Sequence, residues 1–172
     1  MVIRRAIADD AAALSAVGAA TFIESFGHLY VPADLQAFLE ESHSVAAYAN
    51  ALANPDYALW IAERNGVAIG YAQGGPCGLP HADAQASDGE LKRLYLVKGE
   101  QNAGIGQALF DQAIAWLQRG GPRTLWISVW SENFGAQRFY GRHGFEFAGE
   151  YAFIVGEQHD REFMYRRVPG PR

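Results

Sequence analysis

The stretch Gln101-Asn102-Ala103-Gly104-Ile105-Gly106 has the composition and the position of an anion-binding turn. It follows an apolar run ending Leu94-Tyr95-Leu96-Val97 and opens an amphipathic segment at Ile105, so it reads as strand, turn, helix. The first turn of a helix has backbone N–H groups without intrahelical partners, and the helix dipole adds partial positive charge there. Glycine lets that backbone come close to a ligand. The place therefore suits a phosphate or pyrophosphate, although a plain glycine turn would use the same letters. Two other phosphate loops are excluded. A triphosphate loop needs a Lys and a Ser or Thr after its last glycine, and Gly106 is followed by Gln107 and Ala108. A dinucleotide fingerprint needs a third glycine, where this chain has Leu109. What remains is Q-x-x-G-x-G.

The elements that must position this turn follow from periodicity. Val2 to Ala6 reads as a strand, and Asp9 or Asp10 is expected to cap a helix from Ala11 through Phe26. Pro32 starts a second helix, and Ser42 or Ser44 a third that ends at Asn54-Pro55. Tyr57 to Glu63 and Val67 to Gln73 form a hairpin about Asn65-Gly66. Gly74 to Asp88 is a long loop, and Glu90 to Val97 the central strand. Ile105, Leu109, Phe110, Ala113, Ile114 and Leu117 share one helical stripe that Gly120-Gly121-Pro122 stops. Thr124 to Trp130 is a strand and Asn133 to His143 a short helix. Phe145 to Val155 and Glu162 to Val168 make a final antiparallel pair around 156–161, and 169–172 is expected to fray. With no repeat or linker, residues 1–172 read as a single α/β domain.

Composition narrows the function classes. The net charge of −5 argues against nucleic acid as a partner, and no apolar run approaches the length of a membrane span. Cys77 is alone, which excludes an internal disulfide and a cysteine-based metal site; no metal is expected. The start Met1-Val2-Ile3-Arg4-Arg5 lacks a secretory apolar segment, so a cytoplasmic location is expected. Residues 1–90 hold 11 acidic and 3 basic residues, and residues 91–172 hold 8 acidic and 11 basic. A basic half suits an anionic cofactor, and an acidic half suits a cationic acceptor.

A second block follows the turn at about thirty residues: Asn133, Ala136, Phe139, Tyr140, Gly144 and Phe145 within Trp130–Phe145. The two blocks together resemble the GNAT superfamily of acetyl-CoA-dependent N-acyltransferases, whose signatures are [RQ]-x-x-G-x-[GA] after a strand and N-x-x-A-x-x-F-Y-x-x-x-G-F. The resemblance covers residues 90–147 well and the rest loosely. It implies a GNAT-like single α/β domain: a central, mostly antiparallel mixed sheet, splayed at its middle strands and flanked by helices. It implies acetyl-CoA (coenzyme A) as cofactor and a primary amine as acceptor. Residues 21–27 with 153–166 are loosely similar to the PaiA-type polyamine acetyltransferases, which points to a small cationic amine. A peptide or protein N-terminal or lysine amine, and a non-catalytic acyl-CoA-binding sensor, are the alternatives. A homodimer is compatible with late strands pairing across an interface.

The resemblance assigns roles residue by residue. Gln101, Asn102, Ala103, Gly104, Ile105, Gly106 and Gln107 are expected to hold the cofactor's pyrophosphate, and the main chain of Leu94 and Leu96 its pantetheine arm. Asn133 is expected to contact the cofactor, though asparagine also favours the N-cap. Tyr140 is the expected general acid, since a phenol of pKa near 10 can protonate a thiolate whose thiol lies near 8.5. Glu90 is the expected base, placed by alternation on the strand face of Leu94 and Leu96. Pairing with Lys92 or Arg93 is its structural alternative. His81, Asp83 and Asp88 in the long loop, and His28, are weaker candidates.

Overall fold

The computed structural model describes residues 1–170; residues 171 and 172, half of the expected frayed tail, lie outside the described residues. The chain runs β1 (Val2–Arg5), α1 (Ala11–Phe26), α2 (Pro32–Ser42), α3 (Val45–Ala53), β2 (Ala58–Arg64), β3 (Val67–Pro76), β4 (Gly89–Leu96), α4 (Ile105–Leu117), β5 (Leu125–Trp130), α5 (Phe134–Arg142), β6 (Glu146–Val155) and β7 (Gln158–Arg167). The strands form one seven-stranded sheet in the order β1-β2-β3-β4-β5-β7-β6. Every neighbouring pair is antiparallel except β4 with β5.

Both faces of the sheet are covered. On one face, the apolar stripe of α4 (Leu109, Phe110, Ala113, Leu117) packs with Leu91, Leu125, Ile127 and Val129. On the other, Leu14 and Val17 of α1 and Tyr48 of α3 bury Leu59, Ile61 and Tyr71. A third, smaller cluster joins Phe22 and Tyr30 to Val155, with Phe38 and Phe153 packed against it. The Asn65-Gly66 turn has φ of 53° and 77°, the left-handed pair that a two-residue hairpin requires.

Four features differ from the sequence expectation. β3 continues to Pro76, so the long loop is 77–88. β7 begins at Gln158, because the hairpin already closes at Gly156 with φ 56°; the polar run Gln158-His159-Asp160-Arg161 hid the strand. Asp10 does not cap α1 through its side chain. Its carboxylate instead takes the Ile7 N–H at 2.8 Å and the Arg4 guanidinium at 2.8 Å. The fourth difference matters most. Gln73 pairs with Arg93 but Gly74 pairs with Leu91, so Lys92 is an extra residue, a bulge in β4. A bulge reverses the alternation. Leu91, Leu94 and Leu96 face α4, whereas Glu90, Arg93 and Tyr95 lie toward α1 and α3. Glu90 is therefore on the face opposite Leu94 and Leu96.

Candidate active site

β4 and β5 pair over only three positions, Gly89–Leu125, Glu90–Trp126 and Leu91–Ile127. Beyond them β5 stays with β7 as far as Trp130, while β4 stays with β3 as far as Leu96. The two strands part, and the side of β4 that faced β5 loses its partner. Val97 N–H donates to Ile69 at 2.9 Å, so by alternation the main-chain groups of Leu94 and Leu96 point into the opening. A cavity of about 380 Å³ fills it, lined by Leu94, Leu96, Gln101, Asn133, Tyr140 and Glu162 among others.

The glycine turn stands at the mouth of this opening. Asn102 and Gly104 both take left-handed backbone, φ 66° and 78°, which turns the chain from β4 into α4. The first intrahelical bond is Ala108 N–H to Gly104 C=O, so the amides of Ile105, Gly106 and Gln107 have no helical acceptor. A side chain at Gly104 would meet nothing within 4 Å, and one at Gly106 would meet Leu96 Cδ1 at 3.5 Å. Gln101, Asn102, Ala103 and Gly104 are exposed. Unpaired amides at the start of α4, following the exposed residues 101–104 and beside a narrow opening, fit a pyrophosphate joined to a pantetheine arm.

Asn133 is the N-cap of α5, its Oδ1 accepting Ala136 N–H at 3.1 Å, which leaves the amide nitrogen of the side chain to point elsewhere. Tyr140 sits on the buried face of α5, with only 8% of its surface exposed. Its ring packs against Phe110, Phe139 and Phe145. Burial, and secondarily the nearby Tyr95 hydroxyl, raise its pKa, so the phenol keeps its proton. The hydroxyl has no hydrogen-bond partner among the described residues, and Tyr140 lines the 380 Å³ cavity.

Glu90 lies at the start of β4, buried, and its Oε2 accepts Gly78 N–H at 2.9 Å and Lys92 Nζ at 2.9 Å. It is paired with Lys92, as its structural alternative has it, and it also lines a second cavity of about 190 Å³ on the α1 face. That cavity is walled by Phe22, Phe26, Tyr30, Tyr95, Tyr151 and Phe153. It shares Phe26, Lys92, Tyr95, Ser128 and Glu162 with the larger one, so the two meet where the strands part. Phe26 spans the gap, edge-on to Tyr95 of β4 at 6.5 Å and to Trp130 of β5 at 5.7 Å.

The weaker candidates are used structurally. His81 Nε2 bonds Ala148 C=O at 2.8 Å and its ring lies on Trp126; Asp88 accepts Trp126 Nε1 at 2.8 Å; Asp83 pairs with Arg166. His28 is exposed and lines neither cavity. Sequence reasoning missed Ser128, Tyr151 and Glu162. The Ser128 hydroxyl meets Tyr151 OH at 2.7 Å and donates to Glu162 Oε2 at 2.9 Å. A glutamate immediately before the apolar run Phe163-Met164-Tyr165 was the available signal, obscured because β7 was expected to start at that residue. Glu162 also lies in the basic half of the sequence, so the division of charge by halves does not map onto two sides of the site. Burial pushes the Glu162 carboxyl up to about 7, with Asp160 adding to the effect and the Ser128 hydrogen bond opposing it. Tyr95 and Tyr151 are each pushed up to about 12, mainly by burial.

Residues 23–145 match the model of the acetyltransferase (GNAT) family, and the chain belongs to that family. It is an acetyl-CoA-dependent N-acetyltransferase. An uncharacterized N-acetyltransferase of Mycobacterium tuberculosis is 32% identical over 158 residues, covering 92% of this chain and 97% of the relative. The structure of PaiA N-acetyltransferase from Thermoplasma acidophilum in complex with coenzyme A superposes with a TM-score of 0.75 at 20% identity, covering 97% of this chain and 98% of that one. The ribosomal-protein-S18-alanine N-acetyltransferase of Escherichia coli superposes with a TM-score of 0.70 at 17% identity, covering 99% and 95%. The fold is thus shared by proteins named for different acceptors. Among the described residues no helix is long and apolar enough to cross a membrane.

Proposed function

We propose that the enzyme acetylates a small cationic amine, a di- or polyamine, held in the 190 Å³ cavity. The observation that carries this reading is the meeting of the two cavities at the parted strands. The larger reaches Tyr140 and the glycine turn, and the smaller offers aromatic walls with Glu90 and Glu162. Aromatic faces and carboxylates attract an alkylammonium and give little to an anion. The small volume of this cavity, half that of the larger one, favours a small molecule over a protein segment. Acetyl-CoA supplies an acetyl thioester to this junction. On the chain's side, the amides of residues 102–107 hold the pyrophosphate, and Leu94 and Leu96 offer main-chain groups to the pantetheine arm. Asn133 offers its free amide nitrogen, and Tyr140 donates its proton to the departing sulfur. Glu90, already matched by Lys92, places a neutralised ion pair in the wall of the acceptor cavity and leaves Glu162 as its carboxylate without a cationic partner among the described residues. The exposed Phe147 and Ile154 on the edge strand β6 are where a second copy would pair.

A thiol-release assay with acetyl-CoA and a panel of propylamine, 1,4-diaminobutane, spermidine and an alanyl peptide tests the acceptor reading. The diamine and spermidine should turn over best. Peptide preference would replace the small amine, and coenzyme binding without turnover on any amine would leave a sensor.

A further inference from the structure

The acceptor cavity contains two carboxylates in different settings. Glu90 faces an ammonium at 2.9 Å and a backbone N–H on the same oxygen, so its charge is already countered. Glu162 has no cationic partner among the described residues. Its Oε2 takes one hydrogen bond, from Ser128, and its Oε1 has no protein partner among the described residues although it is not sealed from solvent. Because serine has one hydroxyl proton, donation to Glu162 obliges Tyr151 to donate to Ser128. An ionised Glu162 thus ends a chain of hydroxyls directed toward it, and the chain can reverse when the carboxyl is protonated. Glu162 also lies where both cavities meet, which Glu90 does not.

We propose that Glu162 takes the proton from the acceptor's ammonium group, with Ser128 and Tyr151 as positioning residues. The proposal rests on the amine-acetylation reading above. An ammonium N–H bond breaks as an O–H bond forms at Glu162 Oε1, freeing the nitrogen lone pair. The new N–C bond replaces the thioester C–S bond. A second nitrogen proton ends on sulfur by way of the Tyr140 hydroxyl, and Glu162 returns its own proton to water. One proton is released in all.

The surroundings suit this role. Facing Glu162 are Tyr95 from β4, Tyr151 from β6, Tyr30 after α1 and Asp160 on its own strand, with Glu90 and Lys92 across the smaller cavity. Tyr30 donates to Asp160, so that carboxylate is engaged elsewhere. Burial pushes Glu162 up to about 7, close to the value that lets one group both accept and release a proton near neutrality.

The test pairs an infrared titration of the protein alone, from pH 5 to 9, with pH–rate profiles for 1,4-diaminobutane and spermidine. Wild type should show a protonated-carboxyl band titrating near neutrality, and kcat/KM should rise through the same range. Glu162→Gln should lose both the band and the limb, with turnover reduced ~10²–10⁴-fold and coenzyme A affinity unchanged. Ser128→Ala removes the hydrogen bond that favours the carboxylate, so band and limb should both move to higher pH. It also serves if the glutamine variant does not fold. Glu90→Gln should keep both the band and the limb, displaced to lower pH by the Lys92 ammonium it leaves unpaired in the same cavity. A limb retained with full turnover in Glu162→Gln, a limb that disappears in Glu90→Gln, or no band near neutrality overturns the assignment. Failure of wild type to acetylate any amine would instead overturn the amine reading itself.

Discussion

The two cavities that meet at Phe26 are built in opposite ways. The donor side is assembled from contiguous stretches, Leu94–Gln107 and Asn133–Tyr140, and most of what it offers is main chain: amides at the start of α4 and the unpaired edge of β4. The proposed acceptor side is assembled from side chains scattered between Phe22 and Glu162, on α1, β4, β5, β6 and β7. Main-chain chemistry requires a backbone path, and that path constrains neighbouring residues to a recognisable string. Side-chain chemistry requires only that distant residues converge, and sequence spacing records little of it.

Removing the group proposed to protonate the leaving sulfur should give the largest effect. Tyr140→Phe keeps the ring packing against Phe110 and Phe145 and removes only the hydroxyl. Turnover should fall ~10²–10⁴-fold while coenzyme A binding, followed by calorimetry, stays at the wild-type level. Full activity would show that water protonates the sulfur.

Breaking the donor side alone comes next. Gly104→Asp and Gly106→Asp have room for the new side chain in the free protein, so folding should survive. At Gly104 the left-handed φ of 78° adds strain of roughly 1–3 kcal/mol, and at both sites a negative charge meets the pyrophosphate position. Coenzyme A affinity should drop by at least about tenfold, the equivalent of ~1.4 kcal/mol. Near-normal affinity in both variants would remove the turn from the cofactor site.

The same contrast explains what could be read without coordinates. The glycine turn, the α4 stripe, the N-cap Asn133 and the buried Tyr140 were legible because each is encoded within one or two helical turns. Glu90 was located on the correct strand but on the wrong face, because the bulge at Lys92 depends on pairing between β3 and β4 and leaves no local mark. Ser128, Tyr151 and Glu162 were not found, because their hydrogen bonds join positions 23 and 34 residues apart. Glu162 also stands four residues inside a strand whose polar beginning resembles a loop.

Salt should separate the sides with a smaller effect. Carboxylates in the acceptor cavity attract a dication more than a monocation, and salt weakens that attraction while the acceptor approaches through solution, over a screening length of ~8 Å at physiological ionic strength. With added salt, the Michaelis constant for the diamine should rise more steeply than that for propylamine. Equal slopes would assign acceptor selection to the aromatic walls of Phe22, Phe26 and Tyr30.

The smallest expected effect is on stability, and it tells the two acceptor-side carboxylates apart without any substrate. Burial raises Glu162 from 4.5 to about 7 in the folded protein, so the folded state holds this proton more tightly than the unfolded chain does. Below the unfolded value both states are protonated, and the group has no pH-linked cost. As pH rises through the folded value the carboxylate must form in a buried place, and stability declines until the cost is complete above about 7. Glu162→Gln cannot ionise and can still accept from Ser128, so it should melt above wild type at pH 8 and level with it at pH 4. For a protein of this size each kcal/mol moves Tm by ~2–4 °C, which differential scanning resolves. Glu90→Gln should do the reverse at pH 8, since it leaves Lys92 without its counter-charge. A glutamine at 162 that gains stability while losing turnover is the signature of a carboxylate kept for chemistry at the fold's expense. Equal Tm changes at pH 4 and pH 8 would mean that Glu162 is not held in a buried, charge-resisting site.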